Sequence, residues 1–191
     1  MALRNNHYEL ALEAYLRESK IPYIAVDEKR RSLYADKSLK NVDFVVSPVD
    51  AQMSWLIDVK GRHFPSGRKR RYWKNWTTTD DMQSLAQWEQ LFGPQFRGLF
   101  VFAYQVLGEL APLPEDHLFR FRDNIYAFVG IRLDLYHAWA RQISPKWKTL
   151  AMPTTAFRQM AQPLDLILKA PTISGGDFDL RRMSEVGPVV V

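Results

Sequence analysis

The 191-residue chain is predicted to fold as an α/β domain, a central mixed sheet flanked by helices. Three observations predict this class. Apolar residues recur at helical spacing near the N-terminus and again over 77–92. Short runs rich in Val, Ile, Phe and Trp at 23–26, 43–46 and 55–60 have the composition of strands. Arg97–Leu107, RGLFVFAYQVL, is almost continuously apolar, as a strand covered on both faces is. A content of 47% hydrophobic and 13% aromatic residues suffices for one sizeable core. Residues 1–170 therefore read as one domain, and 171–191, where periodicity is lost, as a loose or docked tail.

Taken in order, residues 5–19 form an amphipathic helix, with Tyr8, Leu12, Tyr15 and Leu16 on one stripe. Asn6 can cap it, and Glu9 follows three residues later as in a capping box. Ile21-Pro22 ends the helix, because a residue before proline resists the α region. Tyr23–Val26 is a first strand. Asp27–Lys40 is a charged connection in which Arg30, Arg31, Lys37 and Lys40 read either as a solvated face or as phosphate contacts. Val42–Val46 and Trp55–Val59 then form a hairpin about the loop that carries Ser47, Pro48 and Asp50.

A second helix spans Thr77–Phe92. Thr78 and Asp81 match a capping box, and Asp80 and Asp81 suit the positive end of the helix dipole. Leu85, Trp88 and Phe92 make its core stripe, with Gln83, Gln87 and Gln90 opposite. Gly93-Pro94 stops it, and the apolar strand follows. Phe119–Leu133 reads as one or two strands broken near Asp123-Asn124. Asp134–Gln142 and Pro153–Met160 read as short helices, the second capped by Thr154.

The charges inside the apolar hairpin set it apart. Side chains alternate along a strand, so Asp58 and Lys60 share one face, and an antiparallel hairpin brings Asp43 opposite Asp58. Such charges are costly unless paired or bound. Paired carboxylates hold hard divalent cations, and an adjacent lysine can orient water or offset transition-state charge.

At Asp43 and at Asp58-Val59-Lys60 the chain resembles the PD-(D/E)XK nuclease superfamily, with Val42 where the motif name has proline. The order helix, three strands, helix, strand likewise resembles its restriction-endonuclease-like αβββαβ core. The resemblance implies a Mg²⁺- or Mn²⁺-dependent nuclease, with Asp43, Asp58 and the Val59 carbonyl as metal ligands and Lys60 positioning water. It also implies a further acid on the first helix, here Glu9, which otherwise reads as a cap. On the second helix it implies a glutamine, for which Gln83 is the candidate beside the reading of an exposed polar face. The run His7-Tyr8-Glu9, with VDEKRR and DVKGR later, resembles an uncharacterised bacterial family with an HYE-type N-terminal signature.

Gly61–Trp76 carries Arg62, Arg68, Lys69, Arg70, Arg71 and Lys74, with no acid, among Phe64, Tyr72, Trp73 and Trp76. Basic residues suit a phosphate backbone and aromatics suit unstacked bases. The other reading is a solvated loop whose aromatics pack on the core. A net charge of +5 agrees with a polyanionic partner. The nuclease resemblance implies nucleic acid, DNA in preference to RNA, and a homodimer is admissible. With no cysteine, disulfides and thiolate metal sites are excluded, and the four scattered histidines do not suit zinc. No apolar run reaches the ~20 residues of a membrane span, so a cytoplasmic protein without membrane contact is expected. A non-catalytic nucleic-acid-binding or assembly domain using 61–76 is the alternative to a nuclease.

Overall fold

A computed structural model describes residues 6–27, 31–34, 37–49, 51–66 and 73–169. The chain starts with α1 (His7–Glu18), capped by Asn6, whose side chain accepts from the Tyr8 N–H at 3.1 Å. Next come β1 (Tyr23–Ala25), β2 (Arg31–Tyr34), β3 (Lys37–Lys40), β4 (Phe44–Val46) and β5 (Ser54–Phe64). The short β6 (Thr77–Thr78) leads into α2 (Thr79–Phe92), followed by β7 (Phe96–Val106). Then follow β8 (Leu118–Phe121), β9 (Asn124–Arg132), α3 (Leu133–Trp139), β10 (Arg141–Ser144) and β11 (Thr149–Ala151). The described chain closes with α4 (Thr154–Met160), β12 (Gln162–Pro163) and α5 (Leu164–Lys169).

The main sheet runs β1-β4-β5-β7-β9-β12, and β8 also pairs with β9. It is mixed: β5 and β7 are parallel, joined by α2 as a crossover, while β4–β5 and β7–β9 are antiparallel. Strand β7 explains why its sequence is apolar without a break. Leu99, Val101 and Ala103 enter one core layer; Phe100, Phe102 and Tyr104 enter the other. The first layer packs against Leu12 and Leu16 of α1 and Leu164 and Leu168 of α5. The second packs against Leu85, Tyr136 and Phe157, from α2, α3 and α4. Each of these large side chains contributes about 1.5–3 kcal/mol by leaving water.

Four details differ from the sequence reading. The charged stretch after β1 is not a plain connection, because β2 and β3 pair as a separate hairpin, Arg31 opposite Lys40. Strand β5 does not stop near Lys60; it stays in register with β7 as far as Phe64 opposite Val106. Arg62 therefore belongs to a strand, not to a loop. Thr154 does not cap α4: Pro153 occupies that place and makes no side-chain cap bond. Arg141 and Gln142, predicted to finish a helix over 134–142, instead open strand β10. No helix among the described residues is long and apolar enough to cross a membrane.

Candidate active site

The register of β4 on β5 ends with Phe44 opposite Ile57, and Asp43 stands one residue before that last pair. Asp43 lies just before β4, with its N–H donating to the Ile57 carbonyl at 2.8 Å. Its Oδ2 accepts from the Val59 N–H at 2.6 Å, so a carboxylate replaces the ladder acceptor where β4 has not yet begun. Like charges held close together on a sheet are unfavourable. Burial, and then the charges of Asp58 and Glu9, push the Asp43 carboxyl well above its ordinary range. Burial also raises Asp58, against the pull of Lys60.

Lys60 shares the Asp58 face of β5, as the alternation requires. Its Nζ is 2.7 Å from Asp58 Oδ1 and 3.2 Å from Asp81 Oδ2. Burial works against its charge, but Asp58 and Asp81 outweigh that and raise its pKa. Asp81 is the residue that the sequence reading left out of the site. It does form the capping box, with its carboxylate accepting from the Thr78 N–H at 3.0 Å while the Thr78 hydroxyl accepts from the Asp81 N–H at 3.1 Å. Its oxygens also take Lys40 Nζ at 2.6 Å and the Thr77 hydroxyl at 3.0 Å. Burial opposes ionisation, yet Lys60, Lys40 and Thr78 hold Asp81 well below the usual carboxylate range. Asp58 and Asp81 line one narrow crevice with Lys40, Val42 and Leu85.

Glu9 reaches the group from the other side of the sheet. It is 1% exposed, accepts from the Asn6 side-chain amide and lies close enough to Asp43 for their charges to interact. Close packing aligns α1 on β5. A Cβ on Gly61 would stand 2.1 Å from the Tyr8 ring, so only glycine lets the helix approach this near.

Other residues named from the sequence fall elsewhere. Gln83 is exposed and lines a cavity of about 640 Å³ with Met82, Ala86, Leu133 and His137, apart from the Asp58 crevice. Trp73 is 8% exposed and packs on Tyr104 and Phe157, which leaves no open ring face for a base and makes it a core residue. Arg62 donates to the Gly61 carbonyl at 2.6 Å and to the Trp76 carbonyl, and its guanidinium lies 3.9 Å over the Trp76 ring. Trp76 itself is 40% exposed, and Lys74 is exposed. Arg68, Lys69, Arg70, Arg71 and Tyr72 lie outside the described residues, as does the 171–191 tail.

Among the described residues no group of three or more His, Asp or Glu is already arranged to hold a metal ion. The donor chemistry of the pair nevertheless fits a hard divalent cation, since two poorly solvated carboxyls of raised pKa lie close enough for their charges to interact. At present their charge is offset from one side by Lys60.

Parallel β5 and β7 joined by α2, with β4 antiparallel beside β5 and α1 across the other face, define a restriction-endonuclease-like fold. Comparison with solved structures agrees. The chain is similar to Hjc, a Holliday junction resolvase from the archaeal hyperthermophile Archaeoglobus fulgidus, with a TM-score of 0.50 and 11% identity over 85% of this chain and 98% of that one. At that identity the likeness is one of fold. No family model matches the chain, and neither does any curated protein.

Proposed function

We propose that the protein is a divalent-metal-dependent nuclease that hydrolyses phosphodiester bonds in DNA. One observation carries the reading: Asp43, its carboxylate held on the Val59 N–H, lies close enough to Asp58 for their charges to interact, with Lys60 ion-paired to Asp58 at 2.7 Å. Carboxylates held close together in a poorly solvated site weaken a fold that has no cation to offer them. The resolvase-like fold and the basic composition of 61–76 favour DNA as the substrate.

In this reading Asp43 and Asp58 hold the metal, with Glu9 and the Val59 carbonyl as further ligands. When bound, a divalent cation polarises the phosphate and lowers the pKa of the attacking water. The ammonium of Lys60 offsets the negative charge that develops on the phosphate oxygens and orients the water. Its raised pKa keeps that charge in place at neutral pH. Asn6 orients Glu9 through their side-chain hydrogen bond. Lys74 and Trp76, both exposed beyond Lys60, supply contacts to the substrate backbone and bases, joined by Arg68, Lys69, Arg70 and Arg71. Arg62 acts beneath Trp76 as its support.

The test is a cleavage assay on single-stranded, duplex and four-way-junction DNA in Mg²⁺ or Mn²⁺, with EDTA as control. Cleavage of at least one substrate that EDTA abolishes is the expected result. Binding without cleavage of any of them would point to a non-catalytic binding domain.

A further inference from the structure

Lys60 has two carboxylate partners, and they are unlike. Asp58 belongs to the proposed metal pair, whereas Asp81 stands on α2 behind it. Asp81 is also fixed on every side: by the Thr78 N–H, the Thr77 hydroxyl and Lys40 Nζ, in addition to Lys60. The helix that carries it is itself clamped to the chain entering β4. The Lys40 N–H donates to Ser84 Oγ at 3.1 Å, and the Trp88 indole donates to the Lys40 carbonyl at 2.7 Å. Asp81 is therefore held in place, with Lys60 Nζ already 3.2 Å from its carboxylate.

A divalent cation on Asp58 would put two cations on one carboxylate within a poorly solvated crevice, where repulsion is strong. An ammonium has three protons and no fixed fork, so it can leave one carboxylate while keeping another. We propose that Asp81 is a positioning residue for Lys60. It receives the ammonium when metal takes Asp58, and so keeps the lysine beside the reacting phosphate without letting it compete for the metal ligand. This rests on the nuclease reading above.

Calorimetric titration of the full chain with Mn²⁺ tests it, using wild type, Asp81→Asn, Lys60→Met and the double variant, with Asp58→Asn as control. Asn retains an oxygen for the Thr78 N–H, so the helix cap survives while the charge is lost. With Lys60 present, Asp81→Asn should weaken Mn²⁺ affinity by about tenfold or more, because the ammonium then stays on Asp58. In the Lys60→Met background the same change should cost less than about threefold, since nothing is left to compete. Equal weakening in both backgrounds, or none in either, overturns the proposal. Should Asp81→Asn not fold, a crystal structure of wild type with Mn²⁺ decides. Lys60 Nζ is expected on Asp81 and off Asp58, and a retained 2.7 Å contact beside a bound ion overturns it. Wild type that binds no Mn²⁺, or binds it as well after Asp58→Asn, would overturn the metal reading itself, a result separate from any effect of Asp81.

Discussion

Asp43, one residue before β4, is held close enough to Asp58 on β5 for their like charges to interact, where a sheet ordinarily sets opposite charges or apolar partners. Asp43 is further bound into the backbone by the Val59 N–H, so it cannot swing away to relieve the repulsion.

The first prediction is a pH dependence of stability. The folded-state pKa of Asp43 is raised above its unfolded value of 3.8, by burial and then by Asp58 and Glu9. Its contribution to stability is therefore full below about pH 3.8 and is lost as pH rises through the higher folded value. Metal-free Asp43→Asn should gain on wild type as pH climbs from 4 to 7 in urea unfolding. A constant difference across that range would show that Asp43 ionises in the fold without cost. Asp81, with its pKa lowered, has the opposite sign: its contribution is present at neutral pH and is lost as pH falls.

The two tryptophans should separate cleanly. Trp73→Ala empties a core position beside Tyr104 and Phe157 and should cost about 3–5 kcal/mol of stability. Trp76→Ala should leave the Tm nearly unchanged and cost about 1–3 kcal/mol in affinity for single-stranded DNA. Thermal melts paired with binding titrations check both. A large fall in Tm for Trp76→Ala would remove it from the binding surface.

Gly61→Ala tests how closely α1 is set against β5. The added methyl meets the Tyr8 ring and should destabilise by about 1–3 kcal/mol through forced repacking. Because Glu9 follows Tyr8, cleavage should fall by more than the folded fraction does. Activity that simply tracks the folded fraction would mean that the setting of α1 is irrelevant to catalysis.

For the basic stretch, replacing Arg68, Lys69, Arg70 and Arg71 with Ala should weaken DNA binding and flatten the dependence of log affinity on log salt. The change should be up to about three or four units on duplex DNA. A salt titration in Ca²⁺ reads it, and an unchanged slope would leave these charges without a role in binding.

Much of this was legible in the chain. Strand alternation put Asp58 and Lys60 on one face, and a hairpin centred near Ala51 implied the antiparallel pairing of β4 with β5, Phe44 opposite Ile57. Strand β7 announced itself because both its faces are covered. Asp81 was readable only as a cap, since its contacts with Lys60 and Lys40 come from strands that sequence spacing does not relate to α2. Gln83 lies two positions on, a rotation of about 200° along a helix, and so faces away from Asp81. Trp73 and Trp76 sit in the same aromatic and basic stretch, and composition cannot tell the one under Phe157 from the one over Arg62. The length of β5 was hidden because Gly61, Arg62 and His63 break its apolar pattern while β7 still holds their backbone.

The central claim is that Asp43 and Asp58 together hold the metal that hydrolyses DNA, and a single-turnover cleavage assay tests it most directly. Wild type, Asp58→Asn, Asp43→Asn and Gln83→Ala would be compared on the best-cut substrate at saturating Mg²⁺. Both Asn variants should retain the fold and lose about a thousandfold or more in rate, as the loss of a metal ligand demands, while Gln83→Ala stays near wild type. Folded Asp43→Asn or Asp58→Asn protein that cleaves at the wild-type rate would contradict the account.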